Sequence, residues 1–248
     1  MELITLETPS LVLDISKVKR NITHIHKRME NLGVNLRPHG KTAKNIDIIK
    51  MALDGQIGGI TVSTLKEAEY YFSHGIIDIV YAVGIAPVKL DRIVNLIKKG
   101  ANITLILDSI EQVNFVAAKG QQYNLNFPVL IELDCDGHRS GVTPDDSLLL
   151  DIGHLLNSKK GAVLNGVLTH AGESYQCKSI EEIRILAETE RSVAVKCAEI
   201  LRQNGLPCPI VSVGSTPTAN FVEDLTGVTE VRAGVFMFYD LVMAGLGV

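Results

Sequence analysis

Arg37, His39, Lys41 and Lys44 crowd ionisable groups into one short run, Leu36-Arg37-Pro38-His39-Gly40-Lys41-Thr42-Ala43-Lys44. A lysine amine is a nucleophile only when neutral, and burial or neighbouring cations lower its pKa toward that state. Arg37, His39 and Lys44 are the cations that the sequence places nearest. Pro38 keeps Arg37 extended, and Gly40 lets the chain turn tightly or pass close to a ligand. The run therefore reads as a strand end that delivers Lys41 to a pocket. The alternative is a basic loop of solvated lysines, and the run by itself does not exclude it.

The elements around the run suggest what must position it. Asp14 is placed to cap a helix in which Ile15, Val18, Ile22, Ile25, Met29 and Leu32 recur at steps of three and four before Gly33. Beyond it, strands are expected to begin near residues 34, 59, 79, 103, 129, 163, 210 and 230. Between them, helices are expected over about 45–53, 65–74, 89–99, 110–119, 145–156 and 180–204. Eight strand–helix units predict an α/β fold of the (β/α)8 TIM-barrel type over residues 14–248. A doubly wound sheet would carry Gly-x-Gly-x-x-Gly after its first strand, and none is there.

In such a barrel the chemistry belongs at the strand C-termini. The first strand ends in His39 and Lys41. The fifth ends in Asp134-Cys135-Asp136-Gly137-His138-Arg139-Ser140, the sixth in His170-Ala171-Gly172-Glu173-Ser174-Tyr175. The seventh ends in Gly214-Ser215-Thr216 and the eighth in Arg232-Ala233-Gly234-Val235. Loops after strands seven and eight often bind phosphate in barrels, and these offer free backbone N–H groups and two hydroxyls. A lysine and a phosphate cradle on one rim together describe pyridoxal 5′-phosphate. Asp134, Asp136 and His138 have the spacing of metal ligands, but an acidic turn at Gly137 explains them as well, so no metal site is assigned.

The bulk composition narrows the classes. A hydrophobic fraction of 46%, a charged fraction of 21% and a net charge of −4 are those of an ordinary globular protein without a basic footprint for nucleic acid. The N-terminus lacks signal-peptide features, and no apolar run approaches the roughly 18 residues of a membrane span. A cytoplasmic protein with no membrane partner is expected. Cys135, Cys177, Cys197 and Cys208 lack Cys-x-x-Cys spacing and read as free thiols.

Six segments carry a resemblance to a known family. They are Thr8-Pro9-Ser10-Leu11-Val12-Leu13-Asp14, Arg37-Pro38-His39-Gly40-Lys41-Thr42, Val62-Ser63-Thr64-Leu65-Lys66-Glu67-Ala68-Glu69, Tyr81-Ala82-Val83-Gly84-Ile85-Ala86-Pro87, Gly214-Ser215-Thr216-Pro217-Thr218 and Glu230-Val231-Arg232-Ala233-Gly234-Val235. In that order they resemble the D-threonine aldolase and D-serine dehydratase family of the alanine racemase-like, fold type III pyridoxal phosphate enzymes. The resemblance implies that Lys41 carries the cofactor as a Schiff base beside His39, and that Ser215, Thr216, Gly234 and Val235 hold its phosphate. It sets Arg232 at the pyridine nitrogen, with Tyr175 a rival for that contact. His170 and Arg139 would line the pocket, as ring support or contacts to a substrate carboxylate. Lys41, His170 and Tyr175 are the candidate catalytic residues.

The activity implied is a lyase reaction on small D-amino acids with a β-hydroxyl, first of all retro-aldol cleavage of D-threonine to glycine and an aldehyde. Dehydration of D-serine, racemisation, and a barrel or fragment that binds the cofactor without turnover are the alternatives. Members of the family use a divalent metal, manganese or zinc, whose ligands lie on a C-terminal β domain; that domain is expected to be missing from this chain. Residues 1–13 then read as a strand whose partners belong to that domain, and a homodimer is expected of the complete protein. Ala43 stands where the family has a second histidine.

Overall fold

The computed structural model describes residues 3–248. Most of its α-helices, though not those over Leu90–Lys98 and Leu148–Ser158, begin where the sequence supplies a side chain for the free amides of a first turn. Asp14 accepts from the amides of Ser16 and Lys17 at the start of α1 (Ile15–Asn31). Thr64 and Glu67 form a reciprocal capping box at α3 (Leu65–Ser73). The others are α2 (Ile46–Leu53), α4 (Leu90–Lys98), α5 (Ile110–Tyr123), α6 (Leu148–Ser158), α7 (Ile180–Gln203), α8 (Thr216–Phe221) and α9 (Leu241–Gly245).

Between them run β1 (Asn35–Pro38), β2 (Ile60–Val62), β3 (Asp78–Tyr81), β4 (Asn102–Leu107), β5 (Phe127–Leu133), β6 (Ala162–Thr169), β7 (Ile210–Val213) and β8 (Glu230–Ala233). All pair in parallel, in the order β1-β8-β7-β6-β5-β4-β3-β2. The ring is brought together between β1 and β2 by a single bridge, His39 to Thr61, and by the Gly40 amide donating to the Thr61 carbonyl at 2.8 Å. The result is the nearly closed (β/α)8 barrel expected from the alternation of elements.

Strand alternation sends successive side chains to opposite faces. Leu36 packs outward into the large core between strands and helices, while Arg37 is buried inside the ring. There the interior is divided. Val80, Ile106, Leu130 and Leu168 form a small apolar cluster on β3 to β6. Arg37, Thr61, Ser212, Glu230 and Arg232 are buried polar residues on β1, β2, β7 and β8. Arg37 donates from Nε to Glu230 at 2.8 Å and from Nη2 to Asp78 at 3.1 Å. It is thus turned away from Lys41, contrary to the sequence expectation. Lys44 also stands aside, exposed and 3.9 Å from Glu67.

Other departures are local. No helix is expected from the sequence between the seventh and eighth strands, but residues 216–221 form α8, started by Ser215 and Thr218 in a capping box with Pro217 in the first turn. Gly40 is required by the ring of Tyr71 rather than by a turn: an added Cβ would lie 2.5 Å from that ring, and the Tyr71 hydroxyl donates to the Gly40 carbonyl at 2.9 Å. Residues 6–14 form neither helix nor strand, and Leu11, Val12 and Leu13 are exposed. The strand expected there is one whose partners lie outside the barrel, and no barrel strand pairs with it. Residues 1–2 of the expected N-terminal strand lie outside the described residues.

The register of β5 on β6 shifts between Val129 and Leu130, opposite Leu164 and Gly166. Gly166 has φ +139°, and an added Cβ would lie 2.0 Å from the Ile210 carbonyl oxygen. Gly166→Ala is expected to cost about 2 kcal/mol or more, read as a shift of the urea midpoint at unchanged slope.

Candidate active site

Lys41, His39, Arg139, His170, Tyr175, Ser215, Thr216, Arg232, Gly234 and Val235 all line one pocket at the C-terminal rim of the barrel. Every site residue expected from sequence is therefore in one place, joined by Ala82, Glu132 and Leu168 from the barrel interior. Lys41, at the turn that follows β1, and Arg139 are the exposed members. Burial of its amine lowers its pKa, and the guanidiniums of Arg139 and Arg232 lower it further against the opposing pull of Glu67. The cations that depress Lys41 thus come from β8 and the loop after β5.

Both histidines are neutral. His170 is pushed down to about 3, first by burial and then by Arg139. Its Nδ1 lies 2.8 Å from the Gly214 carbonyl, which can only accept, so the ring proton is on Nδ1 and Nε2 carries the lone pair. His39 is held well below the ordinary histidine value by burial and by Lys41. Its Nδ1 accepts the Lys41 amide at 3.4 Å, and its Nε2 lies 3.3 Å from the Ser63 hydroxyl. The ring thereby ties the lysine turn to the start of α3.

Arg232 is 5% exposed and donates to the Ser212 hydroxyl at 2.6 Å and to the Thr169 carbonyl at 2.5 Å. Ser212 in turn donates to Glu230 at 2.6 Å, so the carboxylate that pairs with Arg37 also anchors the support of Arg232. Tyr175 stacks obliquely on His170, with ring centroids 6.1 Å apart. Its hydroxyl meets the Thr216 backbone, which groups it with the β7 exit. At that exit the Ser215 hydroxyl lies 2.8 Å from Ser174 and 3.0 Å from Thr218. Gly234 packs so closely that a Cβ would sit 2.8 Å from the Thr42 hydroxyl and 3.1 Å from the Cβ of His39.

Two acidic residues were not foreseen. Glu132 faces the pocket from β5, accepts the Ser140 hydroxyl at 2.9 Å, and has its pKa raised by burial. Glu190 lies behind the β7 exit on α7, fully buried. Each had a signal: Glu132 is the one charge within apolar β5, and Glu190 falls on the stripe of Ile183, Ala187, Ala194, Cys197 and Leu201. The carboxylates suggested as metal ligands are engaged elsewhere. Asp134 accepts the amides of Asp136 and Gly137, and Asp136 accepts that of Glu173. Among the described residues no three His, Cys, Asp or Glu side chains are grouped to hold a metal. The four cysteines are free thiols.

Comparison with known proteins agrees with this geometry. The chain is 50% identical over 247 residues to a D-threo-3-hydroxyaspartate dehydratase of Delftia sp. (strain HT23), covering 99% of this chain and 65% of that one. The solved structure of that dehydratase superposes with a TM-score of 0.97, and a mutant described as metal-free with 0.95. A D-serine dehydratase of Dictyostelium discoideum is 31% identical, over 98% of this chain and 65% of its own length. A D-threonine aldolase of Arthrobacter sp is 28% identical, over 94% and 62% respectively. The chain thus spans less than two thirds of the length of these relatives. The family model described as alanine racemase, N-terminal domain matches residues 13–241, and the chain belongs to that family, the barrel domain of the fold type III pyridoxal phosphate enzymes.

Proposed function

We propose that this barrel binds pyridoxal 5′-phosphate through Lys41 and serves an ammonia-lyase reaction on D-β-hydroxy amino acids, as in D-threo-3-hydroxyaspartate dehydration. The observation that carries the reading is the pairing, in one pocket, of a lysine with a lowered pKa and the Ser215, Thr216, Gly234 and Val235 cradle. The dehydratase relative at 50% identity favours dehydration over the retro-aldol cleavage first expected, for which the aldolase relative is more distant.

The residues fit the cofactor. With no Cβ, Gly234 lets the β8 exit pack against Thr42 and His39, which brings its backbone into the same pocket as Lys41. Arg232 spends two N–H groups on Ser212 and Thr169 and has others left for the pocket. When bound, pyridoxal phosphate supplies an electron sink next to the substrate Cα. Arg232 is a cation without a lone pair, so at a cofactor ring nitrogen it would donate and could not accept a proton, which would leave that nitrogen unprotonated. With a substrate amine in its place, Lys41 would be the group that accepts the Cα proton at Nζ. His170 has its proton committed to Gly214 and so meets the pocket only as an acceptor at Nε2. Arg139, exposed at the mouth, attracts a substrate carboxylate and lowers the Lys41 pKa. A divalent metal is expected of the family, but the described residues offer it no ligand set, and no step here depends on it.

The first test is an absorbance spectrum with pyridoxal phosphate. The wild-type chain should show a lysine-dependent visible band that is absent in Lys41→Ala, whose turnover should fall about 10²–10⁴-fold. D-threo-3-hydroxyaspartate or D-serine should release ammonia and a keto acid; glycine as the amino product would instead return the reading to an aldolase. Arg139→Gln should raise the pH at which the cofactor is captured, because it removes a charge that lowers the Lys41 pKa; an unchanged midpoint would leave burial and Arg232 as the cause. The same pH curve should show no inflection near the ordinary histidine value of about 6.5, since His39 and His170 are already neutral well below it.

A further inference from the structure

Glu190 does not line the pocket, yet its carboxylate binds three of the segments that build it. Oε1 accepts the amides of Ala171 at 2.8 Å and Gly214 at 3.0 Å, and Oε2 accepts the Thr218 hydroxyl at 2.8 Å. These belong to the exits of β6 and β7 and to the first turn of α8. Among the described residues Glu190 forms no ion pair. A carboxylate buried with no direct ion pair, and only the longer-range attraction of Arg232, is costly to keep in a helix core, where an apolar side chain would satisfy packing alone. What it provides is three acceptor contacts aimed at one corner of the pocket.

That corner is fixed from both sides. Gly214 has φ +125°, gives its N–H to Glu190 and receives His170 Nδ1–H on its carbonyl. The next residue is Ser215. Each hydroxyl has a single proton to give. Ser174 gives its proton to the Ala171 carbonyl at 2.7 Å, and Thr218 gives its own to Glu190. Both therefore face Ser215 as acceptors, at 2.8 and 3.0 Å, and neither points a proton at it. The Ser215 proton thus has only these two neutral hydroxyls as acceptors, and a stronger, anionic acceptor entering the pocket can draw it away from them.

We infer that Glu190 is a positioning residue for the phosphate end of the site: it fixes the Gly214–Ser215 turn and directs the Ser215 hydroxyl to donate to a phosphate oxygen. The inference rests on the pyridoxal phosphate reading and extends it to a residue that touches no ligand.

The test compares dissociation constants of pyridoxal phosphate and of pyridoxal, the same aldehyde without the phosphate, by titration of the whole chain. Wild type should prefer the phosphorylated form. Glu190→Ala should weaken pyridoxal phosphate by about tenfold and leave pyridoxal nearly unchanged, so that the preference collapses. Glu190→Gln retains one acceptor oxygen for the two amides but turns N–H toward Thr218, and should fall between. Thr218→Val leaves Glu190 and the packing volume in place, and should reduce the preference in the same direction even if Glu190→Ala does not fold. A purely structural role would weaken both aldehydes together or neither, and a preference intact in Glu190→Gln and Thr218→Val overturns the inference. A wild-type chain with no phosphate preference overturns the cofactor reading and the inference with it.

Discussion

A guanidinium keeps its proton inside a protein, so the barrel that encloses Arg37 and Arg232 must compensate two permanent charges in a space most barrels fill with branched apolar side chains. The two arginines are register partners on β1 and β8. Glu230 lies beside both, taking Arg37 directly and Arg232 through Ser212. Asp78 adds a second carboxylate to Arg37 from β3. This arrangement explains why the barrel interior is polar on one side and apolar on the other. Removing Glu230 would leave charge without compensation, whereas trimming a leucine on the apolar side would only leave a gap.

The same charges shape the pocket above them. Arg232 and Arg139 act on Lys41, and both also act on His170. An excess of cations in a half-buried site favours neutral bases and attracts anions, which suits a phosphate-bearing cofactor and a substrate carboxylate. Glu132 and Glu190 moderate that field from the pocket wall and from behind it.

The barrel was legible because its period is written in alternating runs, and the pocket because a barrel gathers its strand ends. Lys41, His170 and Ser215 lie far apart in sequence but needed only the strand count to be grouped. The neighbours of Lys41 were read wrongly for a physical reason. Arg37 is near in sequence, but strand geometry commits it to the interior and to Glu230, whereas Arg139 is far in sequence and near in space. Gly40 was explained by its type, but its cause is Tyr71, which no local pattern reveals. The polar network was hidden because Ser212, Glu230 and Arg232 stand within short strands buried on both faces, where no alternation marks which side chain meets which.

The strand that carries the lysine is joined along its length to β8, near the end of the chain, and to its neighbour in sequence by one bridge. Contacts of such separation form late, because the whole intervening chain must be closed before they can be made. A chain emerging from the ribosome therefore holds Lys41 on an unpaired segment until β8 has been synthesised. The pocket that gathers Lys41 with the Ser215–Thr216 and Gly234–Val235 turns needs both β7 and β8 in place, so a half-made polypeptide does not contain it.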